Sequence, residues 1–408
     1  MRAVDEPVEP PREPTMKILQ LEVEGFRSLK HVVWKPGDLN VVIGPNASGK
    51  SNLLKVLEML RAAAQGRLGN YVIHEGGMVP MLWDGTAGNV KIELALALPA
   101  LVYRICMTRL GTSGAHSIES EALQAEQPNG QYSVLFERSS GCVESFEQPR
   151  SKKPGQFSIT GFSIKGPDSD LRGEAFLSSD AGVRSELRLR VREQVRAWRA
   201  YQDFRTDPKA PVRGDTISRY EAVLDADGEN LVPVLHTLYT GSRQFKTDLH
   251  LAMQAGLGDD FEELVFPPSA DQRIQMRIRW RSLKTEQAAA SLSDGTLRFL
   301  FLIAILANPE PAPLIAIDEP ETGLHPAMMP IVAELAAEAA KRSQVILTTH
   351  SPEFLNGFYK IATPTVSVAE CREGHTLLRV LEGEELKYWL KRYSLGELFR
   401  STELEQME

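Results

Sequence analysis

The eight residues Gly44-Pro45-Asn46-Ala47-Ser48-Gly49-Lys50-Ser51 constrain this chain more than any others, because of what flanks them. Before them runs Leu39 to Ile43, apolar and short enough for a buried strand. After them Leu53, Leu54, Val56, Leu57 and Leu60 recur at the spacing of one helix face. A buried strand that turns through a glycine-rich loop straight into a helix asks for an α/β core with helices covering the sheet. The loop matches Gly-x4-Gly-Lys-Ser in full. Its glycines let backbone N–H groups turn inward around phosphate oxygens, and the helix start adds partial positive charge. Lys50 is expected to reach the β- and γ-phosphates of a nucleotide, and the Ser51 hydroxyl to ligate Mg²⁺. A chance glycine turn is the plain alternative, and the strand–loop–helix context argues against it.

A second strand ends in acids. Leu314-Ile315-Ala316-Ile317 leads into Asp318-Glu319-Pro320. Alone, this reads as an acidic turn after a core strand. Beside a phosphate loop, Asp318 is expected to hold Mg²⁺ through water and Glu319 to orient or deprotonate an attacking water. An unpaired carboxylate at a buried strand end is costly, which favours a role for the pair.

Shortly upstream, Leu292-Ser293-Asp294-Gly295 opens a helix that includes Leu297, Phe299, Leu300 and Leu302. A capping serine beside a glycine at a positive helix end suits an anion, although a simple N-cap explains the tetrapeptide equally well on its own. Glu321-Thr322-Gly323-Leu324-His325-Pro326 follows the acid pair at once. A further strand, Val345-Ile346-Leu347-Thr348-Thr349, ends in His350-Ser351-Pro352.

Taken in order, these motifs resemble the ABC-type ATPases. In that family the signature of one subunit closes over nucleotide held by another. The resemblance implies an ABC-type (RecF/SMC-like) α/β nucleotide-binding head with an inserted α+β and helical region. It implies ATP and Mg²⁺ as cofactors, with Gly44 to Ser51, Ser293, Gly295 and Asp318 around them. It implies Lys50, Glu319 and His350 as the catalytic set, with His350 as the switch histidine at the γ-phosphate. Asp294 stands where transporters commonly carry glycine, a place at which SMC-like members vary. The Glu-Thr-Gly-Leu-His-Pro wording resembles the OLD-like and RecF-like branch and would be the dimer-contact loop. Gly25-Phe26-Arg27-Ser28-Leu29 is similar to the opening strand-turn of RecF/SMC heads. Tyr393-Ser394-Leu395-Gly396-Glu397-Leu398 is similar to the tail of bacterial AAA-type ATPases of the same superfamily. The family's glutamine loop is not assigned to any segment.

The rest of the pattern predicts an early strand over Lys17–Glu24 and short β-like runs between loops from 90 to 180. It predicts helix over much of 184–255, notably Asn230–Gly256, and a strand over Ile274–Trp280. Helices over Asp294–Ala307 and Ala327–Lys341 and a β-β-α tail complete it. The expected division is a disordered leader over 1–15, rich in proline and glutamate, with Met16 as an alternative start. The N-terminal half of the head follows over 16–105, an inserted lobe over 106–285, the C-terminal half over 286–378 and a helical tail over 379–408. No sustained heptads accompany this, so a long SMC coiled coil is not expected.

With 408 residues, 42% of them hydrophobic, and a formal net charge of -8, the chain is no polycation, so any nucleic-acid contact must be local. Three widely spaced cysteines, Cys106, Cys142 and Cys371, make neither a disulfide framework nor a close zinc pair and fit a reducing cytoplasm. No apolar run is long enough for a membrane span. Two arginine rows are candidates for double-stranded DNA: Arg184, Arg188, Arg190, Arg192, Arg196 and Arg199 on one expected helix, and Arg277, Arg279 and Arg281 on one strand face. Solvated faces with local ion pairs are the alternative. Leu381-Glu382-Gly383-Glu384-Glu385 is superficially similar to the opening of the Toprim nuclease domain that OLD relatives carry, but too little chain follows it. An in-chain nuclease is therefore not expected.

Three functions fit. The first is a homodimer, or an assembly of dimers, whose ATP-dependent closure controls DNA or a separate effector (a nuclease or a toxin) in anti-phage defence. The second is a RecF-like DNA-repair clamp. The third is a nucleotide-gated scaffold that sequesters a partner protein.

Overall fold

The computed structural model describes residues 16–83, 90–111, 114–126, 132–139, 142–147, 160–164, 173–179, 185–268, 271–359, 361–381 and 393–401. The chain opens with the hairpin β1 (Gln20–Phe26) and β2 (Leu29–Trp34), then β3 (Leu39–Ile43), α1 (Lys50–Gln65) and α2 (Leu68–His74). Strands β4 (Lys91–Leu98), β5 (Leu101–Arg109), β6 (His116–Glu126), β7 (Tyr132–Ser139), β8 (Cys142–Glu147) and β9 (Thr160–Ile164) follow. After α3 (Glu186–Arg196) come β10 (Arg199–Tyr201), β11 (Thr216–Ile217), α4 (Leu231–Gly241) and α5 (Arg243–Leu257). Next are β12 (Phe261–Val265), β13 (Arg273–Ile274), β14 (Arg277–Trp280), β15 (Gln287–Ala288) and α6 (Asp294–Leu306). The last elements are β16 (Leu314–Asp318), α7 (Met329–Ala339), β17 (Gln344–Thr349), α8 (Pro352–Asn356), β18 (Thr365–Arg372), β19 (His375–Leu381) and α9 (Leu395–Arg400).

Two large sheets organise these elements. One is six-stranded, in the order β10-β16-β17-β3-β18-β19, and parallel except for its last pair. The other is antiparallel and eight-stranded, in the order β2-β1-β4-β5-β6-β7-β8-β9. Alternate residues of the parallel strands face two different cores, as the period of two requires. Val41, Ile43, Ile315, Ile317, Val345 and Leu347 pack on the side of α4 to α8. Val42, Leu314, Ala316 and Ile346 pack on the other side, with α1 and the first strands of the antiparallel sheet. Burial on both faces explains why β3, β16 and β17 read as unbroken apolar runs. It also sandwiches α1, the helix that follows the phosphate loop, between the two sheets.

Several expectations need correction. The division at 105/106 falls inside β5, and β4 to β9 simply extend the sheet begun by β1 and β2. The division at 285/286 separates β14 from its partner β15, and 378/379 falls inside β19. Moreover β10, assigned to the insertion, pairs with β16 in the nucleotide core. Contiguity in sequence is a poor guide where a sheet collects its strands from across the chain. The helix expected over 230–256 is two helices, broken at Ser242, whose hydroxyl caps α5 by accepting from Phe245 N. The strand over 274–280 is likewise split, β13 pairing with β11 and β14 with β12.

Parts of the arginine rows are covered or paired with acids, while Arg196 and Arg281 stay exposed. Arg199 lies on β10 rather than on α3, and Arg188 is buried against the ring of Phe176. Arg192 and Arg196 both reach Glu193, and Arg279 pairs with Glu263 and Glu286. Arg184, the leader over 1–15 and most of the tail over 379–408 lie outside the described residues. Among the described residues, no helix is long and apolar enough to cross a membrane.

Candidate functional site

Sheet order builds the site. Because β16, β17 and β3 are neighbours with parallel chains, their C-terminal ends meet at one edge. Register aligns Asp318 with Thr348, and Thr349 with Ile43, the residue before Gly44. Three motifs scattered over the sequence thus converge because parallel strands point their ends the same way.

The phosphate loop is shaped by what lies behind it. Gly44 has φ +150°, and a Cβ there would meet the carbonyl oxygen of Ala369 on β18 at 2.1 Å. At Gly49, with φ +98°, a Cβ would lie 2.0 Å from Thr376 Oγ1 on β19. Thr376 in turn donates to Ser48 O at 2.8 Å, and its backbone N–H donates to Ser28 O at 2.7 Å. The β18–β19 hairpin and the β1–β2 turn therefore brace the loop from outside. The cradle needs both glycines. Ser48 Oγ is buried in the loop without a hydrogen-bond partner. Lys50 is buried and donates to Gly44 O at 2.8 Å and Pro45 O at 3.0 Å. Burial lowers its pKa from the ordinary lysine value, while the fields of Glu319, Asp318 and Glu321 push back upward. A cavity of about 470 Å³ opens over the loop, lined by Ser28, Asn46 to Asn52 and Glu319.

Across that cavity, the acids are latched to the end of β17. Thr348 Oγ1 donates to Asp318, and Thr349 Oγ1 donates to Glu321. His350 Nδ1 lies 2.9 Å from Glu319 Oε1. Glu319 has φ +45°, unusual for a side-chain-bearing residue. Such a conformation costs on the order of 1–3 kcal/mol and persists only where neighbours impose it. Here the Glu319 N–H donates to both Thr348 O and Thr348 Oγ1, each at 3.1 Å. Glu321 is buried, with Oε2 unpartnered, and burial raises its pKa although the Thr349 hydroxyl opposes the shift.

A cradle that depends on two glycines, a buried lysine and an orphaned serine hydroxyl make a receptacle for phosphates. Ser51 at the first turn of α1 and Asp318 at the end of β16 supply one hydroxyl and one carboxylate. Among the described residues no cluster of three or more His, Cys, Asp or Glu could hold a metal alone. That sparse oxygen set fits Mg²⁺, which takes its remaining ligands from phosphate and water.

Ser293 and Gly295 do not line the phosphate cavity. Ser293 is exposed and caps α6, its Oγ accepting from Thr296 N at 3.1 Å. Gly295 instead abuts the loop after the acids, where a Cβ would meet Gly323 O at 2.7 Å. The structure thus brings together Gly44 to Ser51, Asp318, Glu319 and His350, and holds the signature apart from them.

Gln202 is a residue that the sequence did not disclose. It follows β10, beside the acid strand, and lines a cavity of about 140 Å³ with Phe204, Arg298, Asp318, Glu319 and Thr322. Its Nε2 is buried without a partner. A three-residue strand carries no periodic signal, so nothing in the sequence marked this position. Glu321 and Thr349 were also missed as site residues, although they lie within motifs already recognised.

Comparisons with known proteins bear on the family and the fold. The family model described as "AAA domain, putative AbiEii toxin, Type IV TA system" matches residues 145–356, and one described as "AAA ATPase domain" matches residues 16–91. The DNA replication and repair protein RecF of Moorella thermoacetica is 43% identical over 56 residues, 13% of this chain and 15% of that protein. Structural maintenance of chromosomes protein 1 of Arabidopsis thaliana is 46% identical over 57 residues, 14% of this chain and 5% of that protein. The matches therefore span only a small share of either relative. The crystal structure of the SmcHead bound to the C-winged helix domain of ScpA aligns with 91% of this chain and 99% of that chain, with a TM-score of 0.52 at 16% identity. At that identity the likeness establishes the fold alone, that of an SMC head domain.

Proposed function

The chain belongs to the AAA-domain family described as "AAA domain, putative AbiEii toxin, Type IV TA system", as an ATPase of the ABC, SMC and RecF type, and from that premise we propose that it hydrolyses ATP in sites shared between two copies. One observation carries this reading. The phosphate loop and Glu319 face one cavity, while the signature end of α6 is exposed and lines no part of that cavity. Each copy then has one nucleotide seat and one unused anion-binding helix end.

In this reading Lys50 and the loop N–H groups hold the β- and γ-phosphates. Ser51 and Asp318 hold Mg²⁺, which supplies charge neutralisation across the phosphates. Glu319, fixed by its contacts with Thr348 and His350, orients and deprotonates the attacking water. His350 and Gln202 lie beside Glu319 to sense the γ-phosphate. Ser293 and Gly295 of the second copy complete the site.

Closure would control a separate effector. The words of the matched family description, toxin and Type IV TA system, support a defence setting with a nuclease or toxin partner. The pairing of Arg192, Arg196 and Arg279 with acids favours an effector over DNA as the target. Glu319→Gln should bind ATP, fail to hydrolyse it and accumulate as a dimer. Sedimentation of that variant with and without ATP tests the reading, and an unchanged mass refutes it.

A further inference from the structure

Asp294 places a carboxylate between Ser293 and Gly295, the two residues to which the proposed function gives an anionic ligand. Unneutralised, it would repel a γ-phosphate and forfeit what the helix end offers. Among the described residues, one side chain from elsewhere meets it. Arg213 Nη2 lies 2.6 Å from Asp294 Oδ1. Its Nη1 donates to the carbonyl oxygens of Leu292 at 2.8 Å, Ala290 at 3.1 Å and Ala289 at 3.3 Å. Nε is anchored separately, donating to Thr206 O at 2.8 Å. The guanidinium is largely covered, its side chain 12% exposed against 65% for Asp294.

Arg213 ends the short turn Pro211–Arg213 within the segment that begins at Gln202. That segment is held on the signature helix by Phe204, whose ring stacks on Phe301 at 4.8 Å and 7°. The backbone leading to Ser293 is therefore held in part by this arginine, itself fixed from a neighbouring segment. Beside it, Gln287 Nε2 donates to Ser291 O at 3.0 Å, and the Ala289 N–H donates to Met276 O at 3.0 Å. A planar fork that serves three carbonyls and a carboxylate is a task for arginine rather than lysine.

We propose that Arg213 is a positioning residue of the signature: it sets the loop from Ala289 to Leu292 so that Ser293 faces outward, and it cancels the charge of Asp294 where the γ-phosphate held by a second copy approaches. The inference rests on shared ATP sites. It adds a charge requirement that the motifs alone do not contain.

The test uses the Glu319→Gln protein as parent and reads two quantities, ATP affinity by calorimetry and the ATP-dependent dimer dissociation constant by sedimentation. Adding Arg213→Ala should leave ATP affinity within about twofold and weaken the dimer at least about tenfold, because Arg213 does not line the phosphate seat. Adding Asp294→Gly to that variant should recover the share of the loss owed to the bare carboxylate, though not the share owed to the loosened loop. A structural role alone would give no such recovery. Arg213→Gln carries the same expectation if the alanine variant does not fold. A dimer as tight as the parent's with Arg213→Ala overturns the proposal, as does a loss that Asp294→Gly leaves untouched. A parent that stays monomeric with ATP overturns the shared-site reading itself, and this inference with it.

Discussion

Two helices of this protein begin at an anion-binding sequence, α1 after Gly49 and α6 after Ser293, and they are built in opposite ways. The start of α1 is enclosed: β18 and β19 press on its glycines, Thr376 and Ser28 tie its loop, and Lys50 is buried in it. The start of α6 is open, its cap satisfied by its own Thr296 and its loop held in part by Arg213. A cradle closed on all sides holds a ligand alone. An exposed helix end gives a modest interaction and becomes useful when another surface brings the ligand to it. The difference between them is the difference between a seat and a lid.

The largest effect should separate the two by ligand affinity. Lys50→Ala should lower ATP affinity roughly 100-fold or more, because a charge-assisted contact is lost inside a partly desolvated cleft. Ser293→Ala should leave the affinity of a single copy within about twofold and lower turnover instead. Calorimetry on dilute protein, alongside phosphate release, distinguishes them. Equal losses of ATP affinity in both variants would erase the contrast.

Stability should separate them next. Gly44→Ala places a Cβ against the backbone carbonyl of Ala369 at a positive φ, and neither can yield without moving β18 or β3. A loss of about 3 kcal/mol is expected, the range for an imposed clash at a strained position. Ser293→Ala removes one capping bond and should cost about 1 kcal/mol. Denaturant melts would show the order, and a reversed order would mean that the signature, not the phosphate loop, is the braced element.

What the sequence made legible follows the same line. The closed seat was readable because a doubly buried strand, a glycine loop and an amphipathic helix each leave a local pattern, and Asp318, Glu319 and His350 each end such a strand. The brace was not, since Thr376 and Ser28 act through contacts between strands more than 300 residues apart in sequence. Gln202 and Arg213 were hidden for another reason. Both sit in a segment packed by its side chains on α6, with almost no regular structure to give a period. The arginine rows misled because spacing reports a face but not what covers it, and Arg188 is covered by Phe176.

A contrast confined to part of the pH range lies in what backs each helix. Described residues of α6 from Leu297 to Leu306 are apolar except Arg298, whereas α1 carries Glu58 among its covered positions. Burial pushes the Glu58 carboxyl from its ordinary 4.5 up to about 7, with Lys55 pulling down and Glu75 adding to the rise. A carboxyl with a raised folded-state pKa holds its proton more tightly in the native protein than in the unfolded chain. Its favourable share of stability is therefore complete below pH 4.5 and is lost as pH climbs to about 7. Glu58→Gln keeps the shape and removes the titration. Near pH 4 the variant should match the parent, and at pH 8 it should be more stable by on the order of 2 kcal/mol. Urea melts at the two values check this. Curves for parent and variant that stay parallel across the range would mean that the α1 side carries no buried proton, and the two helices would then differ only in how their first turns are enclosed.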